Sequence, residues 1–105
     1  MFDSLKRNEI KKIFSEGLRY KGKQITILVQ ERKDALLKFG VALVGKSESH
    51  ERNKIKRRIR AIIRSNAGEI KKGRNIIILT STRTLNLKYQ ELQKIILEQL
   101  KCISI

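Results

Sequence analysis

The sequence predicts an α/β or α+β domain in which helices pack on one layer of β-sheet. Three observations carry this. Two stretches alternate apolar and polar residues as half-buried strands do, and three others repeat apolar residues at helical spacing. A strand, helix, strand order from about Lys38 to Ser81 then implies a crossover unit within a mixed sheet.

In chain order, "LKRNEIKKIFSEG" spaces Ile10, Ile13 and Phe14 at i, i+3, i+4 behind an Asp3 or Ser4 cap and ends on Gly17, a helix stop. "QITILVQ" puts Ile25, Ile27 and Val29 on one face of a strand and Gln24, Thr26, Leu28 and Gln30 on the other. "KFGVALVGK" repeats the pattern with Phe39, Val41 and Leu43, and "ERKDA" is the turn between the two. After the basic stretch "ERNKIKRRIR", the apolar run "NIIILTS" reads as a strand covered on both faces. "NLKYQELQKIILEQL" closes the chain as a helix, with Leu92, Ile95, Ile96 and Leu100 at helical spacing behind an Asn86 cap.

A chain of 105 residues that is 40% hydrophobic can bury one core but not two, so a single domain over residues 1–105 is expected. Its 25 Lys and Arg against 10 Asp and Glu give a net charge of +15, far beyond what solubility requires. Self-repulsion of that size destabilises a lone compact state and points to a polyanionic partner. No apolar run approaches the ~20 residues of a membrane-spanning helix, and "MFDSLKRNEI" lacks the apolar centre of a signal peptide. Cys102 stands alone and cannot form an internal disulfide, so a cytoplasmic protein with no membrane role is expected.

The basic stretch decides which polyanion. On a helical wheel Ile55, Ile59, Ile62 and Ile63 fall in one apolar sector, while Asn53, Arg57, Arg60 and Arg64 form a stripe on the opposite face, flanked by Lys54, Lys56 and Arg58. A solvated helix face normally alternates signs, because like charges at i, i+4 cost what opposite charges there gain. Here only Glu51 precedes the stripe, where the helix dipole favours an anion, and the next acid is Glu69. The uncompensated repulsion favours a phosphate-binding face over a merely solvated one. Arg grips a phosphate bidentately, and Asn53 adds a directional hydrogen bond to a base or a 2′-hydroxyl.

"ERNKIKRRIR" resembles the Arg-Asn-Arg signature of the protein subunit of bacterial ribonuclease P. The resemblance extends to "LKRNEIKKIFSEG" as that family's first helix, "FGVALVGK" as its strand ending in lysine, and "NIIILTSTRTLNLKYQEL" as its last strand and helix. It implies an α+β fold of αβββαβα order, a single mixed sheet of about four strands with a left-handed βαβ crossover. It also implies a catalytic RNA partner that removes the 5′ leader of precursor tRNA with Mg²⁺ held by the RNA, and no small-molecule substrate. The family's RNA-subunit contacts carry over to Arg52, Asn53, Lys54, Lys56, Arg57 and Arg60, with Lys46 at the strand end and Arg64 on the same stripe. Its leader-binding cleft carries over to Ile10, Phe14, Thr26 and Leu28.

Two departures stand out. "SESHERN" replaces the family's usual Gly-x-Ala-like approach to the helix, with Ser49 in the alanine position. Ile10 and Leu28 stand where other members carry aromatics, leaving Phe14 as the obvious stacking platform, so leader affinity leans more on charge. On spacing alone Phe14 fits core and cleft equally.

A protein nuclease needs paired carboxylates on metal ions, or a histidine with a nucleophile or second base. The ten acids are scattered, and the one histidine, His50, sits in the loop before the basic helix without a visible partner. No catalytic residue and no protein-bound metal are expected. A ribosomal or other structural RNA-binding protein would fit the charge equally well, but gives no reason for the Arg-Asn motif to fall between these strands.

Overall fold

The computed structural model describes residues 2–4, 6–22, 24–34, 37–46, 48–66, 68, 70 and 72–103, with the side chains of residues 2–4, 102 and 103 left aside. Glu69, Ala35 in the first turn and the Cys102 thiol lie outside the described set. The elements are β1 (Phe2–Ser4), α1 (Arg7–Glu16), β2 (Leu18–Lys21), β3 (Thr26–Glu31), β4 (Leu37–Leu43), α2 (Ser49–Ser65), β5 (Arg74–Thr80), a 3₁₀ turn (Thr82–Asn86) and α3 (Tyr89–Ile103).

The sheet runs β1-β4-β5-β3-β2. β5 pairs in parallel with β4 and antiparallel with β3, so the sheet is mixed and α2 is the crossover between its parallel neighbours. The α+β architecture expected from the sequence holds, with four principal strands and the three-residue β1 added in parallel along the free edge of β4.

The central strand explains why both faces must be covered. Ile76 and Ile78 of β5 face one way, with Ile27, Val29 and Phe39, into a core closed by Ile55, Ile59, Ile62 and Ile63 of α2 and Leu92, Ile96 and Leu100 of α3. Ile77 faces the other way and packs with Leu28 beneath Ile13 of α1. Residues successive along a strand point to opposite faces, so "NIIILT" needs helices on both sides.

Helix starts use a device the sequence reading missed. In α1, α2 and α3 a glutamate in the first turn accepts a hydrogen bond from the backbone N–H three residues before it: Lys6 to Glu9, Glu48 to Glu51 and Lys88 to Glu91, at 3.2, 3.4 and 3.2 Å. The expected caps are therefore corrected. Asp3 and Ser4 belong to β1, and Asn86 ends the 3₁₀ turn.

Gly17 does stop α1, by close approach rather than by a left-handed backbone, since its φ is −73°. A Cβ there would lie 2.6 Å from the Ile13 carbonyl oxygen and 3.1 Å from that of Val29. Gly45, at φ +82° after β4, does take the left-handed turn that glycine tolerates.

Candidate nucleic-acid interface

The wheel drawn from the sequence matches the burial of α2. Ile55, Ile59, Ile62 and Ile63 are at most 1% exposed, while Arg52, Asn53, Lys54, Arg57, Arg60 and Arg64 are all exposed and Lys56 is half-buried. Among the described residues, none of these cations has a carboxylate within ion-pair distance; the ion pairs there fall on Arg32, Lys38 and His50. Arg58 differs from its neighbours. Its Nη2 donates to the Leu87 carbonyl at 3.0 Å, tying α2 to the segment that leads into α3.

The opposite face of the sheet is only half covered. α1 crosses it over the row formed by Gln30, Asn75 and Lys38, which are register partners on β3, β5 and β4. Lys38 Nζ lies 3.6 Å from Glu9, and the Gln30 amide donates to Glu16 at 3.3 Å, so both ends of the helix are held at this row. Ile13 closes over Leu28 and Ile77 in the next row. The row beyond, Lys21, Thr26, Leu79 and Ala42, stays open along the flank of α1.

This open strip is where the cleft residues were expected. Thr26 is half-buried at its floor, Ile10 is half-buried against the small core, and Phe14 is 39% exposed, so its ring is available on the helix rather than spent in the interior. Leu28 is corrected: it faces the strip but is 1% exposed under Ile13, and it supports the floor without lining it. The sequence reading also missed two cations. Arg19 and Lys21, exposed on β2, stand directly opposite Leu28 and Thr26 and so share their face. Their alternation in "LRYK" was the available signal, obscured because this strand buries no residue.

Lys46 lies in the segment joining β4 to α2, exposed and two residues beyond Val44, whose N–H donates to the Thr80 carbonyl at 2.8 Å. It stands on the stretch of chain that runs from the open strip to the basic stripe. Glu9 is the carboxylate that the site most clearly perturbs. The Lys6 N–H hydrogen bond, aided by Lys38 and Arg32 and opposed by partial burial, holds it below the usual glutamate range. Arg32 is pushed up chiefly by its hydrogen bonds to Asp34.

Among the described residues one group could hold a metal ion, Glu48, His50 and Glu51, with ligating atoms within 4.8 Å of one another. Glu51 already accepts the Glu48 N–H, and Glu48 lies 3.3 Å from His50 Nδ1, so the group is engaged in starting α2. No helix among the described residues is long and apolar enough to cross a membrane.

A helix carrying an unpaired cationic stripe on one side of the sheet, and a half-open strip on the other, are features the comparisons account for. The sequence matches the Ribonuclease P family over residues 4–104. The chain belongs to the ribonuclease P protein family. It is 34% identical over 101 residues to the ribonuclease P protein component of Mycoplasma capricolum, covering 92% of each, and 36% identical over 96 residues to that of Onion yellows phytoplasma, covering 89% of this chain and 67% of the relative. The RNase P protein of Thermotoga maritima superposes with a TM-score of 0.84 at 25% identity, over 90% of this chain and 91% of that one. The RNase P protein of Staphylococcus aureus, at 21% identity, shares the fold with a TM-score of 0.81 over 99% and 95%. Membership implies a component of the ribonuclease P holoenzyme, an RNA-binding protein of tRNA 5′ processing.

Proposed function

We propose that this ribonuclease P protein binds the catalytic RNA through the outward stripe of α2 and the 5′ leader of precursor tRNA through the open strip beside α1. The observation that carries the reading is the unpaired stripe. Arg57, Arg60 and Arg64, with Arg52, Lys54 and Lys56, repel one another at i, i+3 and i+4 spacing with no acid to relieve them, and RNA phosphates supply the missing charge. Lys46 extends this contact toward the strip. There Arg19 and Lys21 meet the leader backbone, Phe14 stacks on a base, and Thr26 offers a hydroxyl at the floor.

Catalysis resides in the RNA on this reading. Bound Mg²⁺ held by RNA phosphates supplies the Lewis acid and the activated water for 5′ cleavage. The protein neutralises phosphates so that leader and catalytic RNA can approach at physiological ionic strength. Its described acids serve other ends, in helix starts and in the Arg32 cluster. The setting is the cytoplasm, where precursor tRNA is made.

The test mixes purified protein, catalytic RNA and precursor tRNA at low Mg²⁺. Protein alone should leave precursor tRNA intact, RNA alone should cleave poorly, and the mixture should cleave at the mature 5′ end. Specific 5′ cleavage by rigorously RNA-free protein would overturn the assignment of catalysis to RNA.

A further inference from the structure

At the far end of the open strip lies a cavity of about 180 Å³. Its walls include Ile25, Val44 and Leu79, its floor Thr26 and Thr80, and Lys21 stands at its margin. Two features separate it from an ordinary crevice. Thr80 is 3% exposed, and its Oγ1 is the one buried side-chain polar atom among the described residues without a hydrogen-bond partner. Val44, by contrast, is 51% exposed, an aliphatic side chain left beside a polar opening.

An unpaired buried hydroxyl is a standing cost that a fold retains only where something offsets it. Thr80 sits where β5 ends, and its backbone carbonyl is already taken by the Val44 N–H. No hydrogen bond fixes the hydroxyl, so rotation about χ1 between staggered positions can turn it to an incoming partner. Size limits what that partner is. A cavity of about 150 Å³ accommodates one benzene ring, whereas sites for drug-sized ligands begin near ~300 Å³. The space here therefore takes one six-membered ring. Aliphatic walls suit the faces of such a ring, and a hydroxyl that both donates and accepts suits its polar edge.

We infer that this cavity is a subsite for a single pyrimidine base of the leader, turned out of the strand so that its ring lies against Val44 and Leu79 and its edge meets the Thr80 hydroxyl. The inference rests on the leader-binding reading above, because Thr26 belongs both to the open strip and to the cavity. Lys21, directly opposite Thr26, is placed to hold the phosphate of the same nucleotide. A fused two-ring base overfills the space, so the subsite discriminates by ring size.

The test is an abasic scan along the leader of precursor tRNA, bound to holoenzyme reconstituted with wild-type protein, Thr80→Val or Val44→Ala. In the wild type one leader position should lose roughly tenfold in affinity when its base is removed, and a purine there should bind several-fold worse than a pyrimidine. Thr80→Val preserves shape and β-propensity while removing the hydroxyl, and should abolish the preference at that position alone. The melting temperature of the free Thr80→Val protein should stay level or rise, because the hydroxyl it loses has no partner in the fold. Val44→Ala, at an exposed position, should reduce the same position's contribution without affecting others.

If leaderless tRNA binds as tightly as precursor tRNA, the leader reading and this subsite fail together. If the leader contributes but no position depends on its base, or purines bind better, or Thr80→Val leaves the pattern unchanged, the subsite alone fails.

Discussion

Glu9 Oε2 lies 3.5 Å from Arg32 Nη1, while its other oxygen accepts the Lys6 N–H at 3.2 Å and lies 3.6 Å from Lys38 Nζ. The same Arg32 donates two hydrogen bonds to Asp34, at 2.7 and 2.8 Å, and one to Asn75 Oδ1 at 2.7 Å. One carboxylate on α1 is thus held by cations from the end of β3 and from β4. The pairing sits at the covered end of the sheet, so it sets how far α1 stands from the open strip.

A pH dependence follows. The folded-state pKa of Glu9 lies below its ordinary value of 4.5, so its contribution to stability is fully present above that value and is lost as pH falls through the depressed one. Glu9→Gln should lower the urea midpoint at pH 7, and the gap from the wild type should narrow below about pH 4.5 as the native carboxylate is protonated. Urea titrations of both proteins at pH 7 and pH 3 check this. An equal gap at the two pH values would show that the glutamate acts through packing and not through charge.

The arginines of α2 should divide into two kinds. Arg57→Ala and Arg60→Ala remove exposed groups without protein partners, and should weaken binding to the catalytic RNA by roughly 1–3 kcal/mol, lowering the salt slope by about one for a phosphate contact. Their thermal stability should stay within about 0.5 kcal/mol of the wild type. Arg58→Ala should do the opposite, since the Leu87 carbonyl loses its charged donor, with a stability loss of order 1 kcal/mol. Filter binding at several salt concentrations, paired with thermal melts, separates the two.

Legibility in the sequence followed burial. The isoleucines of α2 and the run in β5 were readable because a buried helix face and a doubly covered strand leave strong periodic signals, and the outward stripe followed as the complement of the first. β2 left none, with all four of its residues exposed, and Arg19 and Lys21 went unnoticed with it. Helix starts were misread because the search was for a capping side chain at the first position, whereas here a glutamate three residues later reaches back. Leu28 was assigned to the correct face, but alternation reports which face a residue takes and not whether Ile13 covers it. The Glu9, Arg32, Asn75 cluster joins three distant segments, and no local pattern announces it.

Gly17→Ala should be costly although its backbone angles suit any residue. The added methyl would lie 2.6 Å from the Ile13 carbonyl oxygen, which is backbone and cannot swing aside as a flexible side chain would. The end of α1 must then shift away from β3, at a cost of about 1–3 kcal/mol by analogy with overpacked cores. Because that shift widens the strip beside α1, leader-dependent affinity should fall with stability, and a denaturant titration beside binding of precursor and leaderless tRNA reads both. A variant as stable as the wild type would place the glycine's role elsewhere.

Phe14 and Leu28 make the sharpest pair, because both were assigned to the cleft and burial separates them. Phe14 is 39% exposed on α1, whereas Leu28 is 1% exposed beneath Ile13. Truncating an exposed ring removes a stacking surface and leaves little cavity behind. Phe14→Ala should therefore cost about 1–3 kcal/mol of affinity for precursor tRNA, with no loss for mature tRNA and only a small change in stability. Leu28→Ala opens a hole between Ile13 and Ile77, and should cost about 2–5 kcal/mol of stability, lowering the affinity for both RNAs in proportion to the protein that unfolds. The measurement is holoenzyme affinity for precursor and mature tRNA, normalised to folded protein, alongside denaturant titration of each free variant. If Phe14→Ala destabilises the fold as much as Leu28→Ala and weakens both RNAs equally, the exposed edge of its ring is incidental to packing and the leader finds its stacking partner elsewhere. If only the precursor suffers, the flank of α1 is the wall against which the leader lies.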